Sequence, residues 1–269
     1  MESKNIFNKP CIMGIINLTP DSFFKESANI NIENAASRCQ KMLDEGATII
    51  DIGGESTRPG HSPVSFKEEK ERVIPVVQKL TSIFENLFIS VDTQKSSIAE
   101  LALQNGVAMI NDIWGLQNPC DKMMAQVVAD YKAYLVIMHN RLNVDENIDI
   151  VKEIKQFFKV SLQIAKKHKI PKEKIVLDPG IGFGKSLMQN YQVLKRLKEF
   201  KCFKLPVLLG TSRKSLYSVL DSNQAESRLG ATVATTFYGL TQGVKIFRVH
   251  DVKENFQAIR LFKTIKDCK

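Results

Sequence analysis

The 269-residue sequence has no long apolar run. The longest runs, such as Tyr134–Met138, fall far short of the ~18 residues that a membrane-spanning helix needs, which excludes a helical span. Cysteine is sparse. Cys11, Cys39, Cys120, Cys202 and Cys268 are odd in number, far apart and without a C-x-x-C. That spacing excludes a disulfide framework and a zinc knuckle, and it suits reduced thiols in a cytoplasmic protein. Histidine is sparser still, at 61, 139, 168 and 250, with no metal-ligand spacing. Arginine supplies only 9 of the 38 basic residues. Nucleic-acid readers lean on Arg for bidentate contacts, so the net charge of +9 reads as a Lys-rich solvated surface, with no nucleic acid expected as partner. A positive field of this kind still favours the approach of an anionic substrate. There is no low-complexity tract, no Pro/Gly/Ser-rich linker and no shift in composition, so residues 1–269 are expected to form a single domain. Residues 1–10 have no apolar core followed by a small-residue cleavage site, and no secretory leader is expected.

What is present is an alternation. Short apolar, β-rich runs occupy Cys11–Asn17, Thr48–Gly53, Phe88–Asp92, Met109–Asp112, Tyr134–Met138, Lys174–Asp178, Pro206–Gly210 and Val244–Arg248. Several are apolar throughout, as parallel strands buried on both faces must be. Between them run helical patterns over 33–45, 67–84, 95–105, 120–131, 148–168, 188–199, 225–242 and 252–266. Eight β-then-α units over ~250 residues predict an α/β protein of the (β/α)8 TIM-barrel type, with a doubly wound open sheet as the competitor.

In such barrels the active site forms at the carboxyl ends of the strands. Polar groups collect at nearly every one of them here: Asn17, Asp51 with its Gly53-Gly54 turn, Asp92, Asn111, Met138-His139, Asp178, Ser212-Arg213-Lys214-Ser215 and Arg248-Val249-His250. Each alone reads as a helix cap or a turn. Gly180-Ile181-Gly182-Phe183-Gly184-Lys185 alone is a weak signal and is not a Walker A sequence. Eight successive strand ends delivering acids, amides and cations to one mouth exceed what caps require. Asp92, Asn111 and Asp178 suit the donor and acceptor edge of a flat heterocycle. Arg248, His250 and Asn17, two potential cations and an amide, suit an anionic leaving group such as pyrophosphate. The helix opened after Ser212 suits a carboxylate or phosphate.

Seven segments occur in order: Asn17-Leu18-Thr19-Pro20-Asp21-Ser22-Phe23, Asp51-Ile52-Gly53-Gly54-Glu55-Ser56-Thr57-Arg58-Pro59-Gly60, Ser90-Val91-Asp92-Thr93, Ile110-Asn111-Asp112-Ile113, Asp178 through Lys185, Ser212 through Ser215, and Arg248-Val249-His250-Asp251. Together they resemble the dihydropteroate synthases of folate biosynthesis, over residues 11 to 251. The resemblance implies condensation of 6-hydroxymethyl-7,8-dihydropterin pyrophosphate with p-aminobenzoate, giving 7,8-dihydropteroate and pyrophosphate, with Mg2+. It implies that Asp92, Asn111, Met138, Asp178 and Lys214 surround the pterin. It implies that Asn17, Thr57, Arg58, Arg248 and His250 serve the pyrophosphate, with Asn17 beside Mg2+. Asp21 would close over the site with the second loop. Phe23, Thr57, Pro59, Phe183 and Ser215 would form the p-aminobenzoate pocket. The resemblance further implies a dissociative reaction without a protein nucleophile, and a homodimer through helices near the C-terminus.

Two departures accompany it. After Phe23 the family continues Ser-Asp-Gly-Gly, whereas here the run is Phe24-Lys25-Glu26-Ser27. A stiffer, bulkier first loop is expected to alter sulfonamide sensitivity. At the end of the Tyr134–Met138 run the family's Met-His-Met-x-Gly-x-Pro is replaced by Met138-His139-Asn140-Arg141, and His139 is expected to be structural. Glu55 and Lys185 receive no role. Two alternatives share the pterin set: a methyltetrahydrofolate-dependent methyltransferase, which needs no pyrophosphate clamp, and a non-catalytic pterin-binding paralogue, which the altered first loop would suit.

Overall fold

The computed structural model describes residues 7–18, 28–55, 64–220 and 228–268, with backbone alone for 28–31 and 218–220. Eight strands, β1 (Cys11–Asn17), β2 (Ile49–Gly53), β3 (Ile89–Asp92), β4 (Met109–Asp112), β5 (Tyr134–Met138), β6 (Ile175–Asp178), β7 (Leu208–Leu209) and β8 (Ile246–Val249), pair in parallel in one sheet. The sheet runs β6-β5-β4-β3-β2-β1-β8-β7. It closes where Leu177 bridges Val207 and the Leu177 N–H donates to Pro206 O at 3.0 Å. The barrel expected from the sequence is the fold observed, and each strand is followed by a helix: α1 (Ala28–Asp44), α2 (Phe66–Ile83), α3 (Ser96–Gln104), α4 (Met124–Asp130), α5 (Ile150–Lys167), α6 (Leu187–Lys195), α7 (Leu229–Gln242) and α8 (Val252–Asp267).

Boundaries differ for local reasons. β7 is two residues long where five were expected, since Pro206 at its start brings no N–H to the ladder. The helix expected from 120 begins at Met124, because Asn118 and Asp121 bind the backbone N–H groups of Cys120, Met123 and Ser96 with their side chains. The pattern over 188–199 divides into α6 and a 3-10 segment, Leu197–Phe203. Capping boxes start α2 (Ser65 with Glu68) and α6 (Ser186 with Gln189), and Asp149 caps α5.

Strand alternation sorts the core into two layers. One set of phases, including Ile12, Ile16, Ile50, Ile52, Val91, Ile110, Leu135, Leu177 and Phe247, packs outward against the helices. The other points into the barrel. At its amino end that interior is apolar: Met13, Ile49, Met109, Val136, Val176, Leu208 and Ile246, with Phe7 across the bottom, edge-on to Tyr134. Two residues further along the same inward phase, the side chains become Asp51, Asn111, Met138, Asp178 and Arg248, with Ser90 and Asp92 from β3. The strand sequences thereby set a polar layer upon an apolar plug.

Candidate active site

The polar layer is organised by one cation. Arg248 enters from β8 and donates from Nε to Asp51 Oδ2 at 2.6 Å and from Nη2 to Asp92 Oδ2 at 2.7 Å. Asn111 Nδ2 reaches the same Asp51 oxygen at 3.3 Å. Asp51 has no exposed surface. Burial acts to lower the Arg248 pKa, but the two carboxylates raise it, so the guanidinium stays charged. Burial pushes Asp92 up, with Arg248 opposing and Asp51 adding to the rise. Around this pair Asp51 Oδ1, Ser90 Oγ, Asp92 Oδ1 and Asn111 Oδ1 are buried without a hydrogen-bond partner. Buried acceptors left unpaired are costly, and such a cluster is a reservoir for a ligand that supplies donors.

Beside the floor stands Asp178, whose Oδ1 accepts from Gly180 N at 2.7 Å. Burial raises its pKa while Lys214 lowers it. Lys214 follows β7 and donates from Nζ to Ile181 O at 2.5 Å, with the Phe183 ring centroid 4.6 Å away. Burial brings the Lys214 pKa down to about 8, with Asp178 resisting the fall. Met138, at the end of β5, is buried in the same interior phase.

At the rim, Asn17 turns Nδ2 toward His250 Nε2 at 3.5 Å, and His250 Nδ1 lies 3.0 Å from Ser212 Oγ. Burial, together with Arg248 and Arg213, lowers the His250 pKa to about 3. His250 is therefore neutral near pH 7, a hydrogen-bonding group and not the second cation expected from the sequence. Arg248 lies deeper than His250. Its place in the inward phase of β8 puts the guanidinium among the floor acids. Among the described residues the segment opened by Ser215 is a 3-10 helix, Ser215–Leu220, not an α-helix. Ser215 itself is exposed.

The structure thus brings together Asn17, Asp92, Asn111, Met138, Asp178, Lys214, Arg248 and His250, with Phe183 on the adjoining loop. Asp21, Phe23, Thr57, Arg58 and Pro59 lie outside the described residues. The sequence reading missed Asp51, which it noted on β2 but left out of the site. The signal was its charge in the phase of Ile49 and Gly53. Glu55, left without a role, joins Lys95 Nζ at 2.6 Å and accepts from Val64 N at 3.2 Å, which clasps the two ends of the second loop. Lys95 also reaches the fully buried Glu69 at 2.6 Å. Lys185 neither meets a carboxylate nor faces water. It donates to His139 Nδ1 and to two carbonyls.

The glycines of Gly180-Ile181-Gly182-Phe183-Gly184 serve packing between loops. A Cβ on Gly180 would sit 1.9 Å from His139 O, and one on Gly184 would sit 2.4 Å from Arg141 O, both at positive φ. The backbone after β6 therefore lies directly on the backbone after β5.

Residues 13–250 match the family model of the pterin binding enzymes. The dihydropteroate synthase of Clostridium beijerinckii is 42% identical over 258 residues, covering 96% of this chain and 94% of its own. The chain belongs to the dihydropteroate synthase family of pterin binding enzymes. Solved relatives agree. The Clostridium difficile dihydropteroate synthase crystallised in the presence of pteroic acid is 49% identical with a TM-score of 0.91, over 96% of this chain and 97% of that one. The Xanthomonas albilineans synthase with 4-aminobenzoic acid is 34% identical, TM-score 0.91, over 98% and 95% of the two chains. The enzyme is a transferase that acts on the pterin branch of folate biosynthesis.

Proposed function

We propose that the enzyme condenses 6-hydroxymethyl-7,8-dihydropterin pyrophosphate with p-aminobenzoate, the pterin lying on the floor defined by Asp92, Asn111 and Asp178. The observation that carries this reading is the set of buried, unpartnered acceptors beside the Arg248 bridge. The pterin edge presents ring N–H and exocyclic amino donors, which would satisfy the oxygens of Asp92 and Asn111. Met138 would pack on the ring and Lys214 beside it. In the dissociative course, the C–O bond to pyrophosphate breaks first and the leaving group takes the electron pair. The arylamine nitrogen then attacks the pterin methylene cation and loses a proton. This course requires no covalent nucleophile from the protein, and positioning and charge suffice.

Asn17 and His250 would receive the pyrophosphate with Arg248, joined by Thr57 and Arg58. Among the described residues no three His, Cys, Asp or Glu gather as a metal cage. Mg2+ takes few protein oxygens and completes its shell with phosphate and water, so one amide oxygen beside the pyrophosphate would suffice to hold it. Asn17 fits as the protein ligand: its nitrogen faces His250, which leaves its Oδ1 as the atom that would coordinate. Bound there, Mg2+ supplies charge to the departing pyrophosphate oxygens. Phe183 and Ser215, with Phe23, Thr57 and Pro59, would hold p-aminobenzoate.

Further support bears on the setting. Tyr238, Leu261 and Ile265 expose apolar surface on α7 and α8, which suits a homodimer face. Cys11, Cys39, Cys120 and Cys202 are free thiols, which suits the cytoplasm. The whole chain is read as one domain.

The test is pyrophosphate release from purified enzyme with dihydropterin pyrophosphate and Mg2+, with and without p-aminobenzoate. Release that depends on p-aminobenzoate and forms dihydropteroate is expected. Pterin binding without product would establish the paralogue reading instead.

A further inference from the structure

The loop after β6 is fastened from beneath by residues that the proposed reaction does not use. Lys185 is buried, and its Nζ lies 2.7 Å from His139 Nδ1, 2.7 Å from Gly180 O and 2.9 Å from Phe183 O. Burial lowers the Lys185 pKa to about 7, with Asp178 and Glu153 opposing the fall, and in its ammonium form the side chain carries three donors, each with an acceptor here. His139 Nδ1 therefore accepts, which leaves the ring proton on Nε2, facing the Glu153 carboxylate on α5. Burial lowers the His139 pKa to about 4, so the ring is neutral, as an acceptor must be.

A buried ammonium carries a desolvation cost that an apolar side chain of the same volume would avoid. What the apolar side chain could not do is join two carbonyls of one loop to a ring on another. The loop so joined carries site geometry: Gly180 N binds Asp178, Ile181 O holds Lys214 Nζ, and Phe183 supplies the ring under that ammonium. The floor acceptors Asp92 and Asn111 sit on strands, whose positions the sheet fixes. Phe183 and the Lys214 ammonium are set by the loop.

We infer that Lys185, oriented by His139 and Glu153, is a positioning residue that fixes the Gly180–Phe183 backbone and thereby shapes the subsite for the arylamine, the second substrate. This rests on the function proposed above. Its effect falls mainly on the arylamine beside Phe183; the pterin also meets Lys214, but it keeps the strand-held Asp92, Asn111 and Asp178 and is affected less.

Initial rates of the full-length enzyme, varying each substrate in turn, test it in wild type, Lys185→Met, His139→Leu and His139→Gln. Loss of a hydrogen bond to a charged group predicts a rise of about tenfold or more in the p-aminobenzoate KM for Lys185→Met and His139→Leu. The KM for dihydropterin pyrophosphate stays within about threefold by the same reasoning. His139→Gln returns an acceptor to Lys185 and recovers most of the loss. An unchanged p-aminobenzoate KM, an equal rise in both KM values, or a His139→Gln as impaired as His139→Leu overturns the inference. If Lys185→Met does not fold, the two His139 variants decide alone. A wild type that forms no dihydropteroate overturns the proposed function and this inference with it, which distinguishes the two failures.

Discussion

Arg248 holds Asp51 and Asp92 apart and together: one guanidinium, two carboxylates, 2.6 and 2.7 Å. Two acids on neighbouring strands within a barrel repel each other unless a cation lies between them. Arg248→Met removes that cation and leaves both acids buried. The expected cost is about 3–5 kcal/mol of stability, read from the urea midpoint, together with loss of p-aminobenzoate-dependent pyrophosphate release.

Asp92→Asn preserves shape and volume but alters the acceptor offered to the pterin. Loss of a charge-assisted hydrogen bond predicts pterin pyrophosphate affinity lower by about 1.5–3 kcal/mol. Titration calorimetry measures it, and circular dichroism is expected to show an intact fold. Unchanged affinity would remove Asp92 from the pterin site.

Gly180→Ala tests the loop-on-loop packing. Positive φ costs an L-residue about 1–2 kcal/mol before any clash. The new Cβ would also meet His139 O at 1.9 Å. Thermal unfolding is expected to show a larger destabilisation than for Gly230→Ala, where a Cβ meets nothing within 4 Å.

His139 predicts a pH dependence. Its folded pKa is depressed to about 4 from the ordinary 6.5 by burial. A depressed group contributes stability that is fully present above the unfolded pKa and lost as pH falls through the folded one. Wild-type stability should therefore decline from pH 6.5 toward 4, and His139→Gln should flatten that limb. Denaturant midpoints at several pH values check this. Parallel curves for the two proteins would count against a neutral buried ring.

The first loop carries a prediction from sequence alone, since residues 19–27 lie outside the described structure. Phe24→Ser with Glu26→Gly restores the family's small residues. The sulfonamide inhibition constant is expected to shift by about threefold or more, with pterin affinity unchanged. Equal constants in wild type and variant would show that Phe24 has no part in inhibitor selectivity.

Much of the site was legible because barrel strands use alternate residues for one job. Asp92, Met138 and Asp178 each close a strand in the inward phase, Asn111 stands one residue before the end of β4, and reading strand ends found them. The same logic, applied one step earlier along β2, points to Asp51, yet a lone acid within an apolar strand gives no hint of its partner. His250 was legible as a site residue but not in its charge. His139 was expected to be structural, but its pairing with Lys185 was illegible, because the sequence separates them by 46 positions. Boundaries failed at Pro206 and Cys120–Met123, where a missing N–H and side-chain hydrogen bonds outweighed apolar pattern.

The sequence by itself determined the eight β-then-α units, the apolar plug and the polar strand ends, since those follow from periodicity within each segment. Only the closed barrel decided which charges meet. Arg248 stands 197 residues from Asp51 and 156 from Asp92, and no local pattern encodes their contact. Closing the sheet brings β8 across from β2 and β3, and burial then makes the pairing obligatory, because an acid taken from water must find a cation or give up its charge.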